Sequence, residues 1–353
     1  MPARVKYLVF RTFQAVLTLG IVILILSSLF NSMSEEQLQT RIRQTVTARV
    51  RNSTELQQLS QDQLKEWREN EIAKLRDRWG LDQPVWKRIF MDAWDRMKLD
   101  FGQSYMMTAP GGSRQVMDII MSRLPRTILL FTTAAVIYVL LGLIVGLKAA
   151  QVAGGKLDRF LSIFGMTSSS MPMWWLGMLA ILIFAYQLGW FPSTALPLPQ
   201  TTGLDYYLGV LYRLALPLAT IIFNIFGARA WVTRNIVTDV LQDDYIMAAR
   251  AKGVPERKVI YGHTLRTAAP PVVTSALLSL LMSIGGAMIT EVIFNWPGIG
   301  LLTRIAIMQN DIPVVMGVMF ITSAIYIFGY LVADLLYGLL DPRVEVGTSK
   351  SMR

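Results

Sequence analysis

The chain has 353 residues, of which 53% are hydrophobic and only 16% charged, and its mean hydropathy is +0.43. Soluble domains carry about a quarter charged residues, so this composition excludes a disordered chain and argues against an ordinary soluble enzyme. Cysteine is absent, His263 is the single histidine and the net charge is +10. These facts exclude a disulfide framework, a thiolate zinc site, a cysteine nucleophile and a multi-histidine metal centre; positive charge on so apolar a chain reports cytoplasmic Lys and Arg rather than nucleic-acid binding.

A membrane helix needs about 20 mostly apolar residues, because a rise of about 1.5 Å per residue must cross about 30 Å. Six segments meet that demand. The first, 7–30, contains VLTLGIVILILSSLF. Its apolar run is long and small-x-small cleavage chemistry is lacking after Asn31, which predicts a retained anchor rather than a signal peptide. Residues 54–79 follow as a predicted amphipathic outer helix. Leu56, Leu59, Leu64, Trp67, Ile72, Leu75 and Trp79 recur at intervals near 3.6, Thr54 with Gln57 fits a capping box and Gly80 supplies a stop. Asp62/Lys65 and Glu71/Lys74 add i,i+3 pairs. The apolar stripe suits either packing on the rest of the outer segment or an interfacial or partner-binding face.

The second span is placed at 127–147. The third is broken: LSIFGM leads to Met171-Pro172 and then MWWLGMLAILIFAYQLGWF. A proline-rich connector at 194–203 precedes the fourth span, 208–231, which contains Pro217. The fifth is placed at 271–294 and the sixth at 312–340. With the N-terminus inside, the inner segments hold Arg4, Lys6, Arg11, Lys148, Lys156, Arg159, Arg229, Arg234, Arg250, Lys252, Arg257, Lys258, Arg266, Arg343, Lys350 and Arg353. The two short outer loops with their helix ends hold only Arg213 and Arg304. The long segment 31–126 is exempt, because long loops translocate regardless of charge. Both termini are therefore expected in the cytoplasm of a cell-membrane protein. The division that follows is 1–30 (N-terminus and first span), 31–126 (extracytoplasmic segment), 127–343 (five-helix core with a cytoplasmic segment at 243–266) and 344–353 (tail).

The most basic internal segment is DDYIMAARAKGVPERKVIYGHTLRTAAPPVVT, 243–274. It predicts two short helices with a kink. Asp243 and Asp244 favour the positive end of the first, Ala248, Ala249 and Ala251 are strong helix formers of small bulk, and Gly253 ends it. Pro255 starts the next, where its missing N–H costs nothing. Such a compact helix can enter a groove on another protein, with Arg250 and Lys252 meeting acidic groups there. The alternative is a solvated basic loop facing anionic lipid.

The pattern Ala-Ala-x-x-x-Gly, a second helix and a proline-rich entry into the next span resembles the cytoplasmic loop of binding-protein-dependent ABC importer permeases. Residues 244–253, followed by His263-x-Leu-Arg266, resemble the dipeptide/oligopeptide branch. So do WGLDQPVWKRI (79–89), LDFGQSY (99–105), RLPRTILL (123–130), the third span at 168–192, EVIFNWPGIGLL (291–302) and DLLYGLLDPR (334–343). The large outer segment resembles the first of the two permease types that such systems pair. Met247 stands where the wider motif has its glutamate, and the resemblance says nothing about residues 31–78.

The resemblance implies an all-α polytopic membrane protein with the six-helix transmembrane-domain fold of a type I ABC importer. It implies a transport subunit with no catalytic, metal or cofactor site. Its partners would be a second homologous permease, two ATP-binding cassette subunits carrying ATP and Mg, an extracytoplasmic substrate-binding protein and the lipid membrane. The absence of a Gly-x-x-x-x-Gly-Lys-Ser/Thr loop agrees that ATP binds elsewhere. Coupling to the ATPases is expected from Asp244, Tyr245, Ala248, Ala249, Arg250, Ala251, Lys252, Gly253, Val254, Glu256, His263 and Arg266.

Candidate substrate-pathway residues are Met171, Trp174, Met282, Glu291 and Asn295. Glu291 reads either as a contact for a substrate ammonium or as a carboxylate bonded to the turn at 295–298, and Asp334 as a packing residue or a pore charge. Di- or oligopeptides are the expected cargo, with oligosaccharides or nickel complexes as alternatives. An intramembrane enzyme finds no His-Glu-x-x-His or Gly-x-Ser-x-Gly to support it, and a channel no filter loop.

Overall fold

The computed structural model describes the backbone of residues 3–78 and 80–340 and the side chains of 8–31, 35–78 and 80–335. The expectations attached to Trp79 and to the basic tail from Arg343 onward lie outside the described residues. The described chain is helical, and its one bridge-like pairing, Gln103 with Gln115, is isolated.

Helix α1 (Ala3–Asn52) does not end with its apolar run. Hydropathy falls after Asn31, yet SEEQLQTRIRQTVTARVRN contains neither Gly nor Pro and keeps Ile42 and Val46 on one face. That face buries against Leu75 and Leu81, with Trp67 and Ile72 alongside. The predicted outer helix is thus partnered by its own chain, as the packing alternative requires. It is also interrupted, forming α2 (Thr54–Gln57) and α3 (Gln61–Arg78). The N-cap of α2 is Ser53 rather than Thr54, because the Ser53 hydroxyl accepts the Leu56 N–H at 3.5 Å. The reciprocal capping box sits instead at Ser60 and Gln63, whose side chains each accept the other's backbone N–H at 3.3 and 3.2 Å. Gly80 stops α3 as expected, at φ +69°. Glu71 pairs with Arg49 of α1 rather than with Lys74.

Helix α4 (Val85–Met97) follows Pro84. Helix α5 (Val116–Gln151) carries the second span and begins well before Thr127. The third span is broken where predicted. α6 (Lys156–Ser170) and α7 (Met173–Ala180), which continues as a π-helix over Ile181–Gln187, meet at 95°. Met171 is extended, at φ −82° and ψ 130°, as the residue before a proline must be. Carbonyls left free at such a break need partners inside a membrane. Asn224 of α8 (Leu204–Leu241) supplies them, donating to Ser168 O at 2.8 Å and Met171 O at 3.0 Å. Just below, a Cβ on Gly165 would stand 2.8 Å from the Gly227 carbonyl, so only glycine lets these two helices touch.

The fifth span differs from its predicted bounds. After α9 (Asp244–Ala251) and α10 (Glu256–Lys258), a π-helical turn over Val259–Thr264 runs into α11 (Leu265–Ser283). The chain breaks at Gly285-Gly286 instead of continuing to 294; Gly286 has φ +68° and a Cβ on Gly285 would strike the Tyr326 ring. Short helices α12 (Met288–Ile293) and α13 (Ile299–Met308) come next, then α14 (Ile312–Leu340).

Among the described residues, five helices are long and apolar enough to cross a membrane, and a sixth crossing is present if the bent α6–α7 pair counts as one. Parity decides for six. Phe30 and Asn31, at the end of the first span, line the same cavity as Ile312 and Pro313, at the start of the last. These ends share a membrane face, so the crossings between them are even in number, and the bent pair supplies the fourth. At the opposite ends of the same two helices, Arg11 pairs with Asp334 at 3.3 Å, which gives Asp334 a packing role.

The chain divides into two compact units. One comprises 1–15, 120–305 and 324–353; the other comprises 16–119 with 306–323. The second is held by buried Asp311, which accepts the Ser104 hydroxyl at 2.5 Å and the Tyr105 and Met106 N–H groups at 3.1 and 2.9 Å.

Candidate coupling segment and clamp turn

Helix α9 is fastened by one side chain. Ile246 is fully buried among Ala150 of α5, Val237 and Leu241 of α8, Val259 and Ala268. These residues belong to the ends of three spanning segments, so a force on α9 reaches all three through packed side chains. The opposite face is open: Asp244, Tyr245, Met247, Ala248, Arg250, Ala251, Lys252 and Gly253 are exposed, and Ala249 and Val254 half-buried. The Tyr245 hydroxyl donates to Thr267 Oγ1 at 2.9 Å, which ties the open face to α11.

The stop at the end of α9 is a Schellman turn. Gly253 has φ +77°, its N–H reaches Arg250 O at 2.9 Å, and the Val254 N–H reaches Ala249 O at 3.2 Å. Pro255 caps the next turn rather than occupying its first position. Arg250 also has a partner within the chain. Its guanidinium grips Glu256 with two bonds, at 2.7 and 3.2 Å, and this carboxylate raises the arginine's already high pKa. Arg250 therefore braces the turn from within, and Lys252, the residue after α9, is a second exposed cation beside it. His263 and Arg266 are exposed on the following helical stretch. Glu256 was recognisable as polar and helix-starting, but a partner six residues away across a Gly-Val-Pro turn follows no helical spacing.

The other constellation surrounds Glu291, which is fully buried. Its carboxylate accepts the Thr127 hydroxyl at 2.6 Å and the Gly300 and Leu301 N–H groups at 2.7 and 3.2 Å. Thr127 in turn accepts the Ile299 N–H at 2.8 Å. The buried Trp296 donates its indole N–H to Arg126 O at 2.9 Å. Glu291 thus caps the start of α13 and ties it to α5; its partners lie just past the 295–298 turn rather than within it. A Cβ on Gly298 would collide with this carboxylate, so the glycine is required by space. Asn295 belongs to the same turn, at φ +50°. Met171 sits at the α6–α7 bend, Trp174 is 42% exposed on α7 and Met282 is half-buried near the end of α11. Thr127 is the partner that sequence reading missed, since nothing local links it to a glutamate 164 positions away.

Residues 138–346 match the family described as binding-protein-dependent transport system inner membrane component. The chain belongs to this family. The oligopeptide transport system permease protein AppB of Bacillus subtilis is 31% identical over 270 residues, covering 76% of this chain and 83% of AppB. The glutathione transport system permease protein GsiC of Salmonella paratyphi A is 34% identical over 274 residues, covering 78% and 84%. Family membership makes the chain a multi-pass membrane component of a binding-protein-dependent transport system, a transport subunit rather than an enzyme. The matched stretch contains both α9 and most of the clamp.

Proposed function

We propose that this permease is one of two homologous membrane subunits of an ATP-driven importer for di- or oligopeptides, with both termini in the cytoplasm. Two ATPase subunits bind α9, and an external binding protein delivers the peptide. ATP and Mg bind the ATPases; this chain contributes no cofactor site. The observation that carries the reading is α9 with its stop: an open face of Ala248, Ala251, Lys252 and Gly253, backed by Ile246 seated among three span ends. Small side chains allow close approach to a cleft, and the packed anchor passes movement into the spans. Such coupling suits alternating access, in which one bundle rocks against another around a fixed pathway. The names of AppB and GsiC support a peptide cargo.

Reconstitution with the partner subunits and binding protein tests this. Labelled di- or oligopeptide should accumulate in proteoliposomes only with ATP, and the peptide-loaded binding protein should stimulate hydrolysis. Uptake of an oligosaccharide but no peptide would overturn the cargo assignment. For orientation, a reporter after Arg353 should behave as cytoplasmic and a tag at the exposed Gln61 should be reachable from outside intact cells. Labelling of that tag only after permeabilisation would reverse the topology.

The Arg250–Glu256 brace makes a further prediction. Arg250→Glu alone should weaken retention of the ATPases in a pull-down, because two carboxylates then face each other across the turn. Adding Glu256→Arg should restore it. If the double variant binds no better than the single one, Arg250 contacts the ATPase directly and the brace is incidental.

A further inference from the structure

Helix α4 is amphipathic in the wrong sense for a helix in water. The face packed against the rest of the chain carries both of its arginines. Arg88 reaches Glu35 of α1 at 2.7 Å and Arg96 reaches Asp92 at 2.6 Å, and the two arginine side chains are only 12% and 15% exposed. The face turned outward carries Trp86, Phe90, Trp94 and Met97, which are 66%, 60%, 58% and 50% exposed. Their spacing of i, i+4, i+8 and i+11 forms one stripe. Exposed Lys87 and Lys98 flank it, and the Lys98 ammonium lies 5.2 Å from the Trp94 ring centre.

The position of α4 says what covers this stripe. Glu35, which holds Arg88, lies one turn beyond Asn31, where the first span ends. Met91, Asp92 and Asp95 line the cavity that also contains Phe30 and Asn31 from the first span and Ile312 from the last. Phe101, just past α4, packs on Phe320 within the last span, with ring centres 5.1 Å apart. The stripe therefore sits at the depth where two spanning helices leave the membrane. The side chains of Ile21, Ile25 and Leu29 on the first span are exposed as well. Tryptophan favours this depth, where an amphipathic ring meets both tails and headgroups, and flanking lysines can extend to lipid phosphates.

We propose that α4 lies in the headgroup layer on the face that holds residues 32–115, with Trp86, Phe90, Trp94 and Met97 immersed in lipid. The Arg88–Glu35 pair fastens it to α1 one turn beyond the first span, so the helix holds the outer segment at a fixed height above the bilayer. The proposal rests on the spanning topology and not on the transported cargo, so it stands or falls separately from the function above.

The absence of cysteine permits a direct test. Single cysteines at Phe90 and Met97, carrying nitroxide labels in the complex assembled in lipid nanodiscs, should collide several-fold more often with oxygen than with a water-soluble nickel complex. Gln61→Cys on α3 supplies the water-facing reference and buried Ala93→Cys the protein-buried one. A nickel-accessible label at 90 and 97, like that at 61, would show the stripe in water and overturn the proposal. Shielding from both reagents, as at 93, would also overturn it, because a protein would then cover the face. Brominated lipid provides a measurement with the native side chains: part of the tryptophan quenching should vanish in Trp86→Tyr/Trp94→Tyr. Unchanged quenching in that variant would contradict lipid contact.

Discussion

Gly253→Val should uncouple transport from ATP hydrolysis, while the membrane subunits still assemble. A Cβ at this position meets nothing within 4 Å, so there is room for the side chain. The penalty comes from the backbone, which stands at φ +77°. A β-branched residue resists that conformation by about 1–2 kcal/mol, which shifts the turn's equilibrium by about 5–30-fold. Val254, Pro255 and the Arg250–Glu256 brace would then leave register, and the open face of α9 would no longer be presented intact. Substrate capture by the binding protein should persist, whereas substrate-stimulated hydrolysis and uptake collapse together.

Gly253→Asn is the control, because Asn tolerates left-handed backbone, and it should retain most activity. Ala249→Trp should reproduce the loss by a different route, a bulky ring at a half-buried site that keeps the helix from seating. Wild-type uptake by both Gly253→Val and Ala249→Trp would leave 244–266 as a passive basic loop.

Glu291→Ala should be among the most damaging single substitutions in the chain. It strands the Gly300 and Leu301 N–H groups and the Thr127 hydroxyl away from water, and each buried unpaired group costs about 1–3 kcal/mol. It also leaves a void where the side chain filled the clamp. The total falls with exceptional substitutions, above about 4 kcal/mol. Lower yield of assembled protein and a lower unfolding temperature in detergent should follow. Glu291→Gln should be milder, since the amide oxygen can still accept from Gly300. If Glu291→Ala assembles and melts normally yet loses peptide transport selectively, the carboxylate serves the cargo and the clamp account fails.

How much of this was legible beforehand varied with the kind of signal. Membrane spans could be read because crossing about 30 Å of hydrocarbon imposes a long apolar run on any helix. The break at Met171-Pro172 and the stop at Gly253 could be read because proline and glycine act on their own backbone. The alanine-rich helix and its motif were equally local. Failures came where a partner far along the chain set the outcome. Apolarity ends at Asn31, but α1 continues to Asn52 because Ile42 and Val46 find Leu75. The fifth span ends at Ser283 because the Gly285-Gly286 break meets Tyr326, and apolar composition alone runs past it.

The sequence by itself determined that the chain crosses a membrane several times, which loops carry the positive charge and where the small-residue helix lies. Each follows from hydropathy, charge or backbone chemistry within a few neighbouring residues. Only the tertiary structure decided that Glu291 is clamped by Thr127, that Arg250 is braced by Glu256, and that α4 turns its arginines inward and its tryptophans outward. A glutamate, an arginine or a tryptophan has the same local propensities whichever way it faces. Its role depends on which groups the fold carries to within hydrogen-bonding distance, and helical spacing holds no record of those.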